Sequence, residues 1–203
     1  ANVLAGELYA AEEALQYYRQ VLSVTPGHPE AIQALEKLSE DEALLVGVSE
    51  DLIPFYSSTQ SWAELTELYE RLQDRASDPS ERADWLERIA LVQRDGLEDD
   101  DGAIEALARG WKLDPDRESL RDDLLSIIAG TGNWPQLADI YVEVLEEVQD
   151  PAQIVDMRLR LGHLYLDQIE DDVEAEVHFR EALLVEEDSA DGFGALDSIL
   201  RGQ

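Results

Sequence analysis

Carboxylates are the most abundant reactive groups in this chain. It holds 47 Asp and Glu against 15 Lys and Arg in 203 residues, a formal net charge of −32. Two runs, Glu98-Asp99-Asp100-Asp101 and Glu170-Asp171-Asp172, are dense enough to suggest calcium. A calcium loop needs alternating oxygen ligands, a mid-loop Gly and a closing Glu. Counting back from Gly102 puts Leu97 at the first ligand position, so the pattern fails. Both runs precede a helical stretch, where carboxylates accept free N–H groups and face the positive end of the dipole. The three histidines are His28, His163 and His178, with no H-x₃-H or H-E-x₂-H spacing for zinc. We expect His163 to face a binding groove and His178 to lie on the surface. There is no cysteine, so disulfides, thiolate metal sites and cysteine nucleophiles are excluded. Nucleophile elbow, phosphate loop and dinucleotide fingerprint are all missing from the sequence. The reading is a non-enzyme with no cofactor and no metal site.

The charge balance bears on partners. A small domain commonly carries a net charge of magnitude about 2–8. A chain this acidic is unsuited to phosphate backbones and anionic membranes, so we expect neither nucleic acid nor membrane as a partner. A basic protein would be steered towards it. Only Lys37 and Lys112 are lysines, the other cations being arginines. An acidic, lysine-poor surface also suits a salty habitat, where screening shortens to about 3 Å at 1 M salt. No run approaches the roughly 18 apolar residues of a membrane span, and no signal peptide opens the chain. The expected location is therefore cytoplasmic; the chain lacks an initiator Met, and a start here and a start upstream are both open readings.

The elements carrying these residues are helical and repetitive. Apolar residues recur at three- and four-residue spacing, as in Leu65, Leu68, Tyr69 and Leu72. The spacing predicts helices over 8–24, 29–39, 42–57, 62–75, 80–96, 101–113, 117–129, 134–148, 152–168, 173–185 and 189–201, with a short fragment over 2–6. Ser61 and Asn133 are expected N-caps, and Pro79 and Pro151 open helices where a missing N–H costs nothing. At an offset of 72 residues Leu52 matches Leu124, Trp62 matches Trp134, Tyr69 matches Tyr141, Asp78-Pro79 matches Asp150-Pro151 and Ala103 matches Ala175. A fixed period of this kind marks stacked repeats, which seldom carry chemistry and present long surfaces to partners.

Each 72-residue block divides into two helical hairpins. Leu161-Gly162-His163-Leu164-Tyr165 reads L-G-x₂-Y, and Ala175-x₃-Phe179 reads A-x₃-F. Ala14-x₃-Tyr18 is followed by Pro26, and Ala103-x₃-Leu107 by Pro115 at the same spacing. Trp62-x₂-Leu65-x₃-Tyr69 and Trp134-x₂-Leu137-x₃-Tyr141 occupy the intervening hairpins. On these motifs the chain resembles the tetratricopeptide-repeat (TPR) family along nearly all its length. The likeness is to the divergent, Trp-containing arrays of large bacterial repeat proteins. Departures are Leu86 and Arg158 at the opening Trp position, Gln93 where Tyr165 stands one period later, and Glu187 for the closing Pro.

The resemblance implies an all-α, right-handed superhelical solenoid of TPR-like hairpins. We divide it into residues 1–60, a hairpin plus an irregular extra helix, and 61–203, a continuous array. Ala14, Ala90, Ala103, Gly162 and Ala175 are expected to let helices approach. Tyr18, Trp62, Tyr69, Trp134, Tyr141, Tyr165 and Phe179 would fill the core, while Trp85 and Trp111 would be partly exposed. In this family the first helix of each hairpin lines the concave face. Carried over position by position, that implies a groove of Asp84, Glu87, Leu91, Arg94, Asp122, Ser126, Asp156, Leu159, His163 and Leu166, with Arg94 its only cation. Family members that hold chaperone tails use cations to clamp a carboxylate, and this surface has the opposite sign. The expected function is a scaffold or adaptor binding a basic, or mixed apolar and basic, protein segment. The rival readings are a structural spacer or a regulatory repeat domain of a larger protein. Self-association through terminal repeats is a further expectation.

Overall fold

The structure is a computed structural model that describes residues 2–187 and 189–202, with side chains at 10–187 and 189–199. Among the described residues every regular element is a helix. In chain order these are α1 (Asn2–Val24), α2 (Pro29–Ser39), α3 (Leu45–Thr59), α4 (Trp62–Arg75), α5 (Pro79–Gly96), α6 (Asp100–Leu113), α7 (Glu118–Thr131), α8 (Trp134–Leu145), α9 (Pro151–Leu164), α10 (Asp172–Val185) and α11 (Ala190–Gly202). A single π-turn, Tyr165–Ile169, extends α9. The expected fragment at 2–6 and helix at 8–24 are one element, α1.

Helices α5 to α7 recur as α9 to α11 with starts 72 residues later, and α2 to α4 precede α6 to α8 by the same interval to within a residue. Each period thus holds four helices, or two hairpins. The two helices between Pro26 and Trp62 have α6 and α7 as later counterparts. Pro26 and Pro115 therefore sit in different turns: Pro26 follows α1, and Pro115 follows α6. The small–large pair that recurs with the period is Ala31–Leu35, Ala103–Leu107 and Ala175–Phe179, all at most 2% exposed. Ala14 and Tyr18, which the motif reading favours, are only half-buried.

Local chemistry explains the helix boundaries. Asp78 and Asp150 accept N–H bonds from Ser80 and Ala152, each 2.9 Å, ahead of Pro79 and Pro151 at the first helical positions. The two acidic runs do the same work. Asp99 accepts from Gly102 N at 3.0 Å, and Asp171 from Val173 N and Glu174 N at 3.1 Å. Ser61 and Asn133 stand at N-cap positions but do not cap through their side chains. Ser61 Oγ pairs with Thr59 Oγ1 at 3.0 Å, and Asn133 Nδ2 donates to Gln136 Oε1 at 3.0 Å. Turn hydrogen bonds between neighbouring side chains outcompete the cap there.

The contacts divide the chain into two units, residues 1–103 and 104–203. In the first, α1 to α5 pack in sequence on a core that includes Leu35, Val48, Leu52, Leu65 and Leu86. Arg71 of α4 donates to the Ser39 carbonyl at the end of α2, and Arg75 to the Glu42 carbonyl. Gly96 admits the ring of Trp62, which a Cβ there would meet at 2.7 Å. In the second unit α7 to α11 pack in sequence, short connections making neighbours antiparallel. Its largest buried side chain is Trp111, 2% exposed, whose Nε1 donates to Pro115 O at 3.1 Å. Trp111 meets Tyr141 edge-on at 4.8 Å between centroids. The expectation of partial exposure thus fails for Trp111, which lies four residues after Leu107 on the same inward face. Trp85 is half-buried, against Tyr69 at 5.6 Å and under the Arg88 guanidinium at 5.1 Å.

Candidate functional site

The candidate groove residues fall on α5 in the first unit and on α7, α9 and the π-turn after α9 in the second. In the first unit Asp84, Glu87, Leu91 and Arg94 follow a three–four–three spacing, which places them along one face of α5. Asp84 and Leu91 are exposed, and Glu87 and Arg94 are half-buried. Arg94 Nε donates to Asp95 at 2.7 Å, and this bond holds the Asp95 carboxyl below the usual range. One period earlier the same stripe runs through Glu12, Leu15, Arg19 and Leu22 of α1. Here α1 meets α3 directly. Arg19 Nε donates to Asp51 at 2.7 Å, and its Nη2 donates to Glu50 at 2.9 Å and to the Gly47 carbonyl at 2.7 Å. The Asp51 bond raises the Arg19 pKa.

In the second unit the contributions come from α7 and α9. Asp122, Ser126, Asp156 and His163 are exposed. Leu159 and Leu166 are half-buried and pack against the cluster of Ala175, Phe179, Ala195 and Ile199. The cation content differs from expectation. Arg121 Nη2 reaches Asp122 at 3.0 Å and Glu118 at 3.8 Å, and Arg160 Nε donates to Asp156 at 2.7 Å. Arginines one or four residues from these carboxylates fold back onto them, so Arg94 is not the only cation on these faces. All four of Asp122, Arg121, Asp156 and Arg160 act electrostatically on the Tyr141 hydroxyl, whose pKa is raised chiefly by burial.

The polar constellation that the sequence reading missed is at His178. This residue is buried, not superficial, at 6% exposure. Its ring stacks on Tyr165 at 5.3 Å, and Nδ1 lies 3.0 Å from Arg158 Nη1. Glu181 Oε2 is 2.6 Å from the same guanidinium and 3.7 Å from His178 Nδ1. Burial first, and Arg158 second, push the His178 pKa below its ordinary value. His163 sits elsewhere, edge-on to Phe179 at 5.0 Å and 3.8 Å from Asp167. The sequence held one signal: one period before His178 stands Ala106, a small apolar residue at the matching position.

Among the described residues no cluster of His, Asp and Glu is arranged to hold a metal ion, and no helix is long and apolar enough to cross a membrane. No family model matches the chain. No curated protein matches it either. Among solved structures it is similar to YrrB, described as a TPR protein with an unusual peptide-binding site, at 18% identity and a TM-score of 0.42, over 90% of this chain and 89% of that one. The periodic four-helix arrangement, with its recurring Ala–Leu or Ala–Phe pair, makes this an all-α repeat of helical hairpins.

Proposed function

We propose that the chain is a protein-interaction scaffold whose first-helix faces bind a basic, or mixed apolar and basic, protein segment. The observation that carries this reading is the charge arrangement on those faces. Arg19 faces two carboxylates, Glu50 and Asp51. Arg121 likewise faces Glu118 and Asp122, so each guanidinium leaves carboxylate in excess. Such a field steers a cationic segment and fixes its register more than it supplies affinity. Exposed Leu91 and half-buried Leu159 offer apolar contact beside the carboxylates, and His163, Ser126 and Leu166 complete the set. The role is recognition rather than catalysis.

The test is a triple reversal, Asp84→Lys, Glu87→Lys and Asp156→Lys, assayed against a lysine-rich peptide at low and high salt. The native chain should bind at low salt and release at high salt, and the variant should lose binding with unchanged helicity. Equal binding by the variant rejects the acidic face.

A further inference from the structure

The first unit holds a cleft beside the counterparts of the proposed face. An open cleft of about 430 Å³ lies where the end of α1, the turn after it and α3 converge. That volume is within the range of small-ligand sites, about 300–1,000 Å³. Leu22, Pro26, Ile32, Pro54 and Phe55 form its apolar wall, and Glu50, Asp51, Ser58 and Thr59 of α3 its polar one. The turn that borders the cleft holds Gly27 at φ 77°, a left-handed conformation that side chains disfavour.

Two comparisons argue that the apolar lining is not simply what the fold requires. One period later Leu22, Pro26 and Pro54 correspond to Arg94, Glu98 and Ser126, while Ile32 and Phe55 keep apolar counterparts in Ile104 and Ile127. The repeat therefore tolerates polar residues at three of the five wall positions. Pro54 is also a poor choice for a helix interior. It has no N–H, so the Glu50 carbonyl lacks its ordinary helical partner beside the cleft. Charge then selects the occupant. The Glu50 side chain is 71% exposed and shares one guanidinium with Asp51, which leaves one negative charge in excess at the cleft.

We infer that this cleft anchors one large apolar side chain of a protein segment that carries a basic residue beside it, the cation meeting Glu50. The inference rests on the scaffold reading above, because Leu22, Glu50 and Pro54 are the counterparts of Arg94, Asp122 and Ser126 on the proposed face. It adds a specific place and a specific residue class.

The experiment titrates the isotope-labelled chain with three synthetic peptides and follows its backbone amides by NMR. The first peptide holds Lys-Phe-Lys in a Gly-Ser frame, the second replaces Phe by Ser, and the third replaces both Lys by Glu. The first should shift the amides of Gly27, Phe55, Ser58 and Thr59, and should bind about tenfold or more tighter than the Ser control, as burial of an aromatic side chain implies, and tighter than the Glu control, whose carboxylates meet Glu50. Ser58→Lys, an exposed change at the cleft, should weaken it about tenfold. Phe55→Ala should weaken it too, and Ser58→Lys keeps the test valid if that variant unfolds. No shifts at the cleft, equal binding of the Phe and Ser peptides, or no effect of Ser58→Lys overturns the anchor. Shifts confined to residues 84–94 and 122–166 overturn it while leaving the acidic face standing. Shifts at the cleft alone support the anchor and count against the wider face.

Discussion

Helices α5 and α6 recur one period later as α9 and α10 with different side chains on the same helix plan. Their starts differ by 72 residues, and both begin with an Asp cap and a Pro. Both have small residues at corresponding sites, Ala90 and Gly162 on the first helix and Ala103 and Ala175 on the second. Other corresponding positions diverge. Leu86, Gln93, Ala106 and Arg109 of the earlier copy become Arg158, Tyr165, His178 and Glu181 in the later one. Those four later residues form one connected polar cluster, with His178 at its centre. Helix boundaries and small–large pairs thus hold the repeat, while the filling between them is free to change polarity if the new groups satisfy each other.

The largest test of that view is to empty the later copy. Phe179 is fully buried, so Phe179→Ala should cost about 3–5 kcal/mol in denaturant unfolding. A loss below about 1 kcal/mol would mean that the ring is not the centre of the α9–α10 packing. A conversion of one copy towards the other comes next. A Cβ on Gly162 would sit 2.6 Å from the Phe179 ring, so Gly162→Ala should cost about 1–3 kcal/mol by overpacking. Adding Phe179→Leu puts at 162 and 179 the residue types that stand at Ala90 and Leu107 one period earlier. The double variant should recover part of that loss, with a coupling of about 0.5–3 kcal/mol. Strict additivity would show that Gly162 and Phe179 do not exchange volume.

Smaller effects probe the boundaries and the polar cluster. Asp78→Ala and Asp150→Ala remove equivalent caps, and each should cost about 1 kcal/mol. A large inequality between them would break the equivalence of the copies. The last test is pH. His178 has a folded pKa below its ordinary 6.5, so the unfolded chain takes up this proton first. Its neutral-state stability is intact above pH 6.5 and is lost as pH falls through that value towards the folded pKa. His178→Ala, which installs the Ala106 counterpart, should flatten this contribution, by at most about 1.4 kcal/mol per pH unit. Identical pH profiles for the two proteins would mean that His178 protonates as freely in the fold as outside it.

The helices were legible in the sequence because their causes are local. Apolar spacing and Asp-Pro starts act within a few residues, and so does the left-handed Gly132, φ 73°, that ends α7. The 72-residue period was legible for the same reason, although motif matching favoured Ala14–Tyr18 over the pair at Ala31–Leu35. The π-turn after α9 was not legible. Asp171 N bonds back to the Tyr165 carbonyl at 2.9 Å, six residues away, and Glu170 takes φ 60°. An equivalent turn closes α5, where Asp99 N reaches the Gln93 carbonyl at 2.9 Å and Glu98 takes φ 55°.

Of the candidate face, the sequence by itself determined which residues share a helix side, since three- and four-residue spacing is a property of one helix. It also determined the excess of carboxylates. Only the tertiary structure decided which charges meet and which groups lose water. Arg19 reaches α3 across about 30 residues of chain, and neither that ion pair nor the cleft beside it has a local cause. Trp111 and His178 were buried by the same kind of event. An amphipathic side chain takes the environment that its neighbours leave, and those neighbours come from other helices: Tyr141 on α8 for Trp111, and Arg158 on α9 for His178.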